Sequence, residues 1–453
     1  MLAEALATVY PESIFKDPKS WPRARRLDGL ALAMASDETG APAGAELTAS
    51  ALMNELALYR HEVLGAYAPA RPLYERALTI REKTLVPDHP LTAVSLHNLA
   101  RLLQAQGDLA TARPLCERAL AICEKALGSD HPDTAHHLNN LALLLQGQGD
   151  LAAARPLFTR ALAIREKTLG ADHPLTAAGL NSLALLLQAE GDLAAARPLL
   201  TPALAIRETT LGADHPDTAQ SLHNLALSLQ AQGDLAAARP LCERALAICE
   251  KTLGPDHPDT AYNHNNLAIV LQNQGDLAAA RPLFTRALAI REKALGFDHL
   301  LTAASLHNLA HLLRDQGDLA AARPLSERAL AICEKTLGPD HPDTAHNLNN
   351  LANVLQAEGN LAGARPLHER ALAIRERTLG PDHPATAASL HNLVCLFGDQ
   401  GDFAAARPLL ERSLAICEKA LRPRTSRYPE STKQPYLLAF GRPIVRLAGS
   451  FER

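Results

Sequence analysis

A Gly-Asp dipeptide stands at Gly107, Gly149, Gly191, Gly233, Gly275, Gly317 and Gly401, and Gly359-Asn360 fills the one gap, so a single step, that from Gly107 to Gly149, is kept throughout. An Asp-His pair keeps the same step at His89, His131, His173, His215, His257, His299, His341 and His383. Eight such periods run from Gly65 to Gln400, about three quarters of the 453 residues. A chain copied in this way needs no separate globular cores, because each unit buries its apolar face on the next.

Within Gly149 to Gln188 the apolar residues Leu151, Leu157, Phe158, Leu162 and Ile164, then Leu180, Leu183, Leu185 and Leu187, recur at three and four. That is the spacing of two amphipathic helices. Asp150 is a good N-cap, Leu169-Gly170 a stop, and Pro174 a first-turn proline for the following helix. Composition agrees: the chain is 47% apolar but only 4% aromatic, which leaves Ala and Leu to pack helices closely. The expected fold is all-α.

Leu96-x2-Leu99-Ala100-x2-Leu103, followed by Gly107, Ala112, Cys116 and Ala119, resembles the tetratricopeptide signature. The unit is longer than the usual one of about 34 residues. With N-N-L-A, Q-G-D, R-P-L-x-x-R-A-L-A-I and L-G-x-D-H-P in order, it is similar to the repeats of kinesin light chain and its bacterial relatives. The resemblance covers residues 47–421 and implies a right-handed α-solenoid of about nine helix pairs, with degenerate end repeats and a one-residue slip between Glu46 and Gly65. It also implies a protein-binding scaffold without catalysis. Residues 1–46 resemble the connector that precedes such repeats in NB-ARC-type (STAND) signalling ATPases. No Gly-Lys dipeptide and hence no P-loop occurs, so the alternative reading is a detached sensor half, with a signalling ATPase as its partner. Residues 422–453 abandon the period and read as a basic disordered tail, or as a short helix through Tyr436–Phe440 covering the last repeat.

The resemblance places the first helix of each pair on a concave groove. One equivalent position there holds Asn98, Asn140, Asn224, Asn266, Asn308, Asn350 and Asn392, broken only by Ser182. An amide offers both donor and acceptor, so a ladder of them can pair with the backbone of an extended peptide. The resemblance implies that use; the competing one is ordering the stack. The preceding position alternates: His97, Asn139, Asn181, His223, Asn265, His307, Asn349, His391. These are expected on the same wall, where the histidines would either titrate near neutrality or remain solvated. One turn beyond the Asn lies a series with an apolar middle: Arg101, Leu143, Leu185, Leu227, Ile269, His311, Asn353, Cys395. The expected ligand is an extended, moderately apolar peptide or partner protein.

The net charge of −4 argues against nucleic acid as a partner, and no apolar run reaches membrane-spanning length. With no basic leader, a cytoplasmic protein is expected. No cofactor or metal is expected, because stacked repeats hold successive Asp-His pairs too far apart to converge on one ion; capping the next helix is the simpler job. Arg-Pro near the start of every second helix is expected to bend it. Cys116, Cys242 and Cys417 read as core thiols, while Cys123, Cys249 and Cys333, which replace Arg165 or Arg291, read as more exposed.

Overall fold

The computed structural model describes residues 27–29 and 46–421. The expectations for the N-terminal connector and the basic tail, including the helix through Tyr436–Phe440, lie outside the described residues.

Among the described residues the first helices of the pairs are α1 (Glu46–Leu58), α3 (Pro90–Ala105), α5 (Pro132–Gly147), α7 (Pro174–Ala189), α9 (Pro216–Ala231), α11 (Pro258–Asn273), α13 (Leu300–Asp315), α15 (Pro342–Ala357) and α17 (Pro384–Asp399). They alternate with the second helices, α2 (Tyr67–Thr84), α4 (Leu109–Leu127), α6 (Leu151–Leu169), α8 (Leu193–Thr210), α10 (Leu235–Thr252), α12 (Leu277–Leu295), α14 (Leu319–Leu337), α16 (Leu361–Thr378) and α18 (Phe403–Leu421). The odd members are called A helices and the even ones B helices. No strand occurs among the described residues. The described residues divide into two compact units, one up to residue 179 and one from residue 180. In each, a helix packs on its pair partner and on the next helix in sequence, the architecture of an α-solenoid. In the second unit each A helix from α9 to α15 also touches the next A helix.

Local chemistry sets the boundaries. Asp150 is the N-cap of α6, its Oδ1 accepting from the Ala153 amide at 3.1 Å, and Asp108, Asp192, Asp234, Asp276, Asp318 and Asn360 do the same for their B helices. Gly170 ends α6 at φ +96°, a left-handed conformation that favours glycine. The repeated histidine is the N-cap of the next A helix. His257 Nδ1 accepts from the Asp259 amide at 3.0 Å, and His131, His215, His299, His341 and His383 repeat the bond. The loop is fastened again by Thr260, whose hydroxyl donates to the Gly254 carbonyl at 2.8 Å. α13 begins without proline yet keeps its His299 cap, so the cap and not Pro defines the start.

The slip in the first repeat has a physical cause: Tyr59–Val63 is a π-helical turn after α1, which absorbs an extra residue in the helix. The Arg-Pro prolines, Pro72, Pro114, Pro156, Pro198, Pro240, Pro282, Pro324, Pro366 and Pro408, all lie inside B helices. They stand on the exposed side, where a carbonyl left without its amide partner is hydrated at little cost.

The core is a seam of alanines, such as Ala238, Ala268 and Ala280, each fully buried, interleaved with one larger filler per repeat, such as Phe158 and Phe284. Cys116 and Cys242 take the filler position and are buried. Two expectations about cysteine are corrected. Cys123, Cys249 and Cys333 are buried, not exposed, because the arginines they replace are themselves buried. Cys417 belongs to that same series and is half-buried. Burial pushes the Cys123 and Cys249 thiols up to about 11 and Cys333 to about 12, far from a reactive thiolate.

Outside the seam, ion pairs tie most B helices to the loop one repeat earlier. Lys293 Nζ meets Asp256 Oδ2 at 2.5 Å, and Lys125–Asp88, Lys167–Asp130, Lys251–Asp214 and Lys335–Asp298 repeat it. Each is solvent-exposed, so each contributes about 0–1 kcal/mol.

Candidate functional site

On an α-helix, positions four, seven and eleven residues apart share one face. In α9 that face carries Gln220, Asn224, Leu227 and Ala231; in α11, Tyr262, Asn266, Ile269 and Asn273; in α13, Ala304, Asn308, His311 and Asp315. Most of these side chains are exposed or half-buried, and they make up the mixed polar and apolar face that the A helices offer to solvent. Leu227 is 38% exposed and, in the first unit, Leu143 is 41% exposed. Leu185 and Ile269 are half-buried. An aliphatic side chain left partly open to solvent at an equivalent point of successive helices is a feature that folding alone does not select.

The asparagine series lies on this face, but its members do different things. Asn140 Nδ2 donates to His97 Nδ1 at 3.2 Å, and Asn350 Nδ2 to His307 Nδ1 at 2.6 Å, each reaching the A helix of the preceding repeat. Asn224 is buried, and its Oδ1 accepts from Gln220 Nε2 at 3.1 Å. Asn266 is half-buried beside Tyr262. Asn98, Asn308 and Asn392 are half-buried, leaving part of each amide accessible at the surface.

The alternating series occupies a different place from the asparagine wall. Asn181, His223, Asn265 and Asn349 are buried, and Asn139, His97, His307 and His391 half-buried, at the contact between successive repeats. Asn181 Nδ2 donates to Ser221 Oγ at 3.1 Å and Asn265 Nδ2 to Ser305 Oγ at 3.3 Å, one repeat ahead. Adjacent positions on a helix differ by about 100°, so a residue next to an outward Asn turns toward the neighbouring helix. Burial also removes near-neutral titration: the imidazole of His223 is lowered to about 4 and that of His307 to about 3, while His97 is held well below its usual value by burial and by His136 and His137.

Residues four positions before each Asn complete the face and escape a reading built on the Asn series: His136, Gln220, Tyr262 and His346. Tyr262 is 37% exposed and its hydroxyl lies 2.6 Å from His223 Nε2. The His346 ring stands 4.8 Å from that of His307, edge to face. The i, i+4 rule applied backwards from Asn266 would have found them. Further along, His307, His311, Arg314, Ser326, Asn350 and Val354 line a small open pocket. Ser326 stands there where Phe284 fills the previous repeat.

The tetratricopeptide repeat profile matches residues 47–113, 98–167, 133–209, 175–239, 217–293, 301–362 and 346–419. Among curated proteins none matches the chain. Among solved structures, the nearly identical TPR-like repeats of a kinesin light chain-type protein from Podosopora anserina are 34% identical over 46% of this chain and 99% of theirs, with a TM-score of 0.39. A Rap protein complexed with Competence and Sporulation Factor is 15% identical, covering 82% of this chain and 98% of its own, with a TM-score of 0.54. A STAND protein with a tetratricopeptide repeat sensor, from Pyrococcus horikoshii, is 16% identical over 76% of this chain and 52% of its own, at a TM-score of 0.44. Helix pairing and profile agree, and the chain belongs to the tetratricopeptide repeat family.

Proposed function

We propose that this protein is a non-catalytic scaffold whose A-helix face binds an extended, moderately apolar segment of a partner protein. The observation that carries this reading is the combination of exposed Leu227 with half-buried Leu185 and Ile269, beside the half-buried amide of Asn308. The apolar side chains supply affinity for alternate side chains of the ligand, and the amides suit its backbone donors and acceptors. Asn98, Asn140 and Leu143 offer the same pattern within the first unit. His97, His223, Asn265 and His307 bond Asn140, Tyr262, Ser305 and Asn350 of the next A helix and so hold the helices that present this face.

Selection of peptides from a displayed library on the immobilised protein tests the reading. Enriched peptides lose capture on the Leu185→Glu/Leu227→Glu double variant, whose far-UV dichroism stays that of the parent. Undiminished capture by that variant overturns the assignment.

A further inference from the structure

One position near the C-terminal end of the B helix is either arginine or cysteine. Within residues 46–179 the order is Arg81, Cys123, Arg165; within residues 180–421 it is Arg207, Cys249, Arg291, Cys333, Arg375, Cys417. In the second unit the following A helix answers each choice. Arg207, Arg291 and Arg375 face Ser221, Ser305 and Ser389, whereas Cys249 and Cys333 face Asn263 and Asn347.

The bonds show why. Arg291 Nη1 donates to the Leu301 carbonyl at 2.9 Å and to Ser305 Oγ at 2.9 Å, and that same Oγ accepts from Asn265 of the preceding A helix at 3.3 Å. Arg207 with Ser221 and Asn181, and Arg375 with Ser389 and Asn349, repeat the triad. In the other kind of junction Asn263 Nδ2 donates to Cys249 Sγ at 3.2 Å and to the Asp259 carbonyl at 2.9 Å, and Asn347 treats Cys333 and Asp343 alike. The preceding A helix then carries His223 or His307 in place of Asn. A long side chain meets a short one in the first kind, and a short one meets a longer one in the second.

We infer that each helix pair of the second unit carries a recognition code for its neighbour, so that the true repeat there is two helix pairs, and the surface between pairs fits only the matching kind of pair. An Arg placed against Asn overfills the junction and buries a guanidinium without its serine; a Cys against Ser leaves a void and loses the amide that Asn263 or Asn347 points at the thiol. In a stack of near-identical repeats this pattern disfavours a slip by one helix pair, in which a pair is looped out and its neighbours meet.

Thermal melting of designed variants tests the code. In the full chain, His223→Asn with Cys249→Arg converts two members of one junction and lowers the melting temperature by several degrees; adding Asn263→Ser completes the arginine triad and recovers most of the loss. Failure of that third substitution to recover stability overturns the code. Deleting residues 254–295, one helix pair, sets Cys249 against Ser305, whereas deleting 254–337, two pairs, sets it against Asn347. By repeat number alone the longer chain is more stable, but the code requires the two-pair deletion to melt above the one-pair deletion. The reverse order contradicts it.

Discussion

Arg291 and Cys249 occupy the same point of two successive B helices and solve one packing problem in opposite ways. Arg291 is only 3% exposed, and its guanidinium is lowered to about 10 because burial penalises the charge. Its hydrogen bonds go to a carbonyl and a hydroxyl. Arg291→Ala leaves Ser305 and the Leu301 carbonyl short of a donor and opens a void, so it is expected to cost about 2–4 kcal/mol in denaturant unfolding. The buried histidines make a second prediction. His137, His223, His299 and His368 are each lowered to about 4 by burial. The unfolded chain therefore takes up protons first, below its ordinary value near 6.5. The stability these groups contribute is complete above that value and is lost as pH falls from 6.5 to 4, by roughly 1 kcal/mol per imidazole for the first pH unit. Melting temperatures measured across pH 8 to 4.5 should be level above 7 and fall steeply below 6. A level profile throughout would show that these imidazoles are not desolvated. The alternation of His and Asn was plain in the sequence, but its meaning was not. A period assigns a residue to a helix, while the partner it meets depends on a rotation of about 100° between adjacent positions.

Helix boundaries were the most legible elements, because cap chemistry is local. Asp150, Gly170 and Pro174 each stand where their residue type suits, and the structure uses each as expected. The role of the Asp-His pair was legible only in half. His257 caps α11, but Asp256 turns the other way and meets Lys293 and Arg286 of the next B helix. Those partners lie most of a repeat further along the chain, and no local rule links a loop to a helix at that distance. Asp276→Ala removes the cap of α12 and is expected to cost about 1 kcal/mol in unfolding free energy. Asp256→Ala removes exposed pairs only and should cost less than about 1 kcal/mol, an effect that shrinks further in high salt. Equal costs for the two would mean that the ion-pair ladder carries more of the stack than its exposure allows.

For the whole molecule, low aromatic content and near-neutral charge follow from a seam of alanine and leucine contacts repeated along each unit, with charged side chains paired on the B-helix side. No helix among the described residues is long and apolar enough to cross a membrane. What the repeats leave accessible on the A helices is a stripe of amide, imidazole, tyrosine and leucine, and that stripe is the proposed working surface. Methyl NMR of the leucine- and isoleucine-labelled protein, titrated with a peptide selected on it, tests this directly. The account predicts shifts at Leu185, Leu227 and Ile269 on the A helices, with Leu241, Leu283 and Leu325 of the B helices unmoved; shifts confined to the B-helix leucines would contradict it.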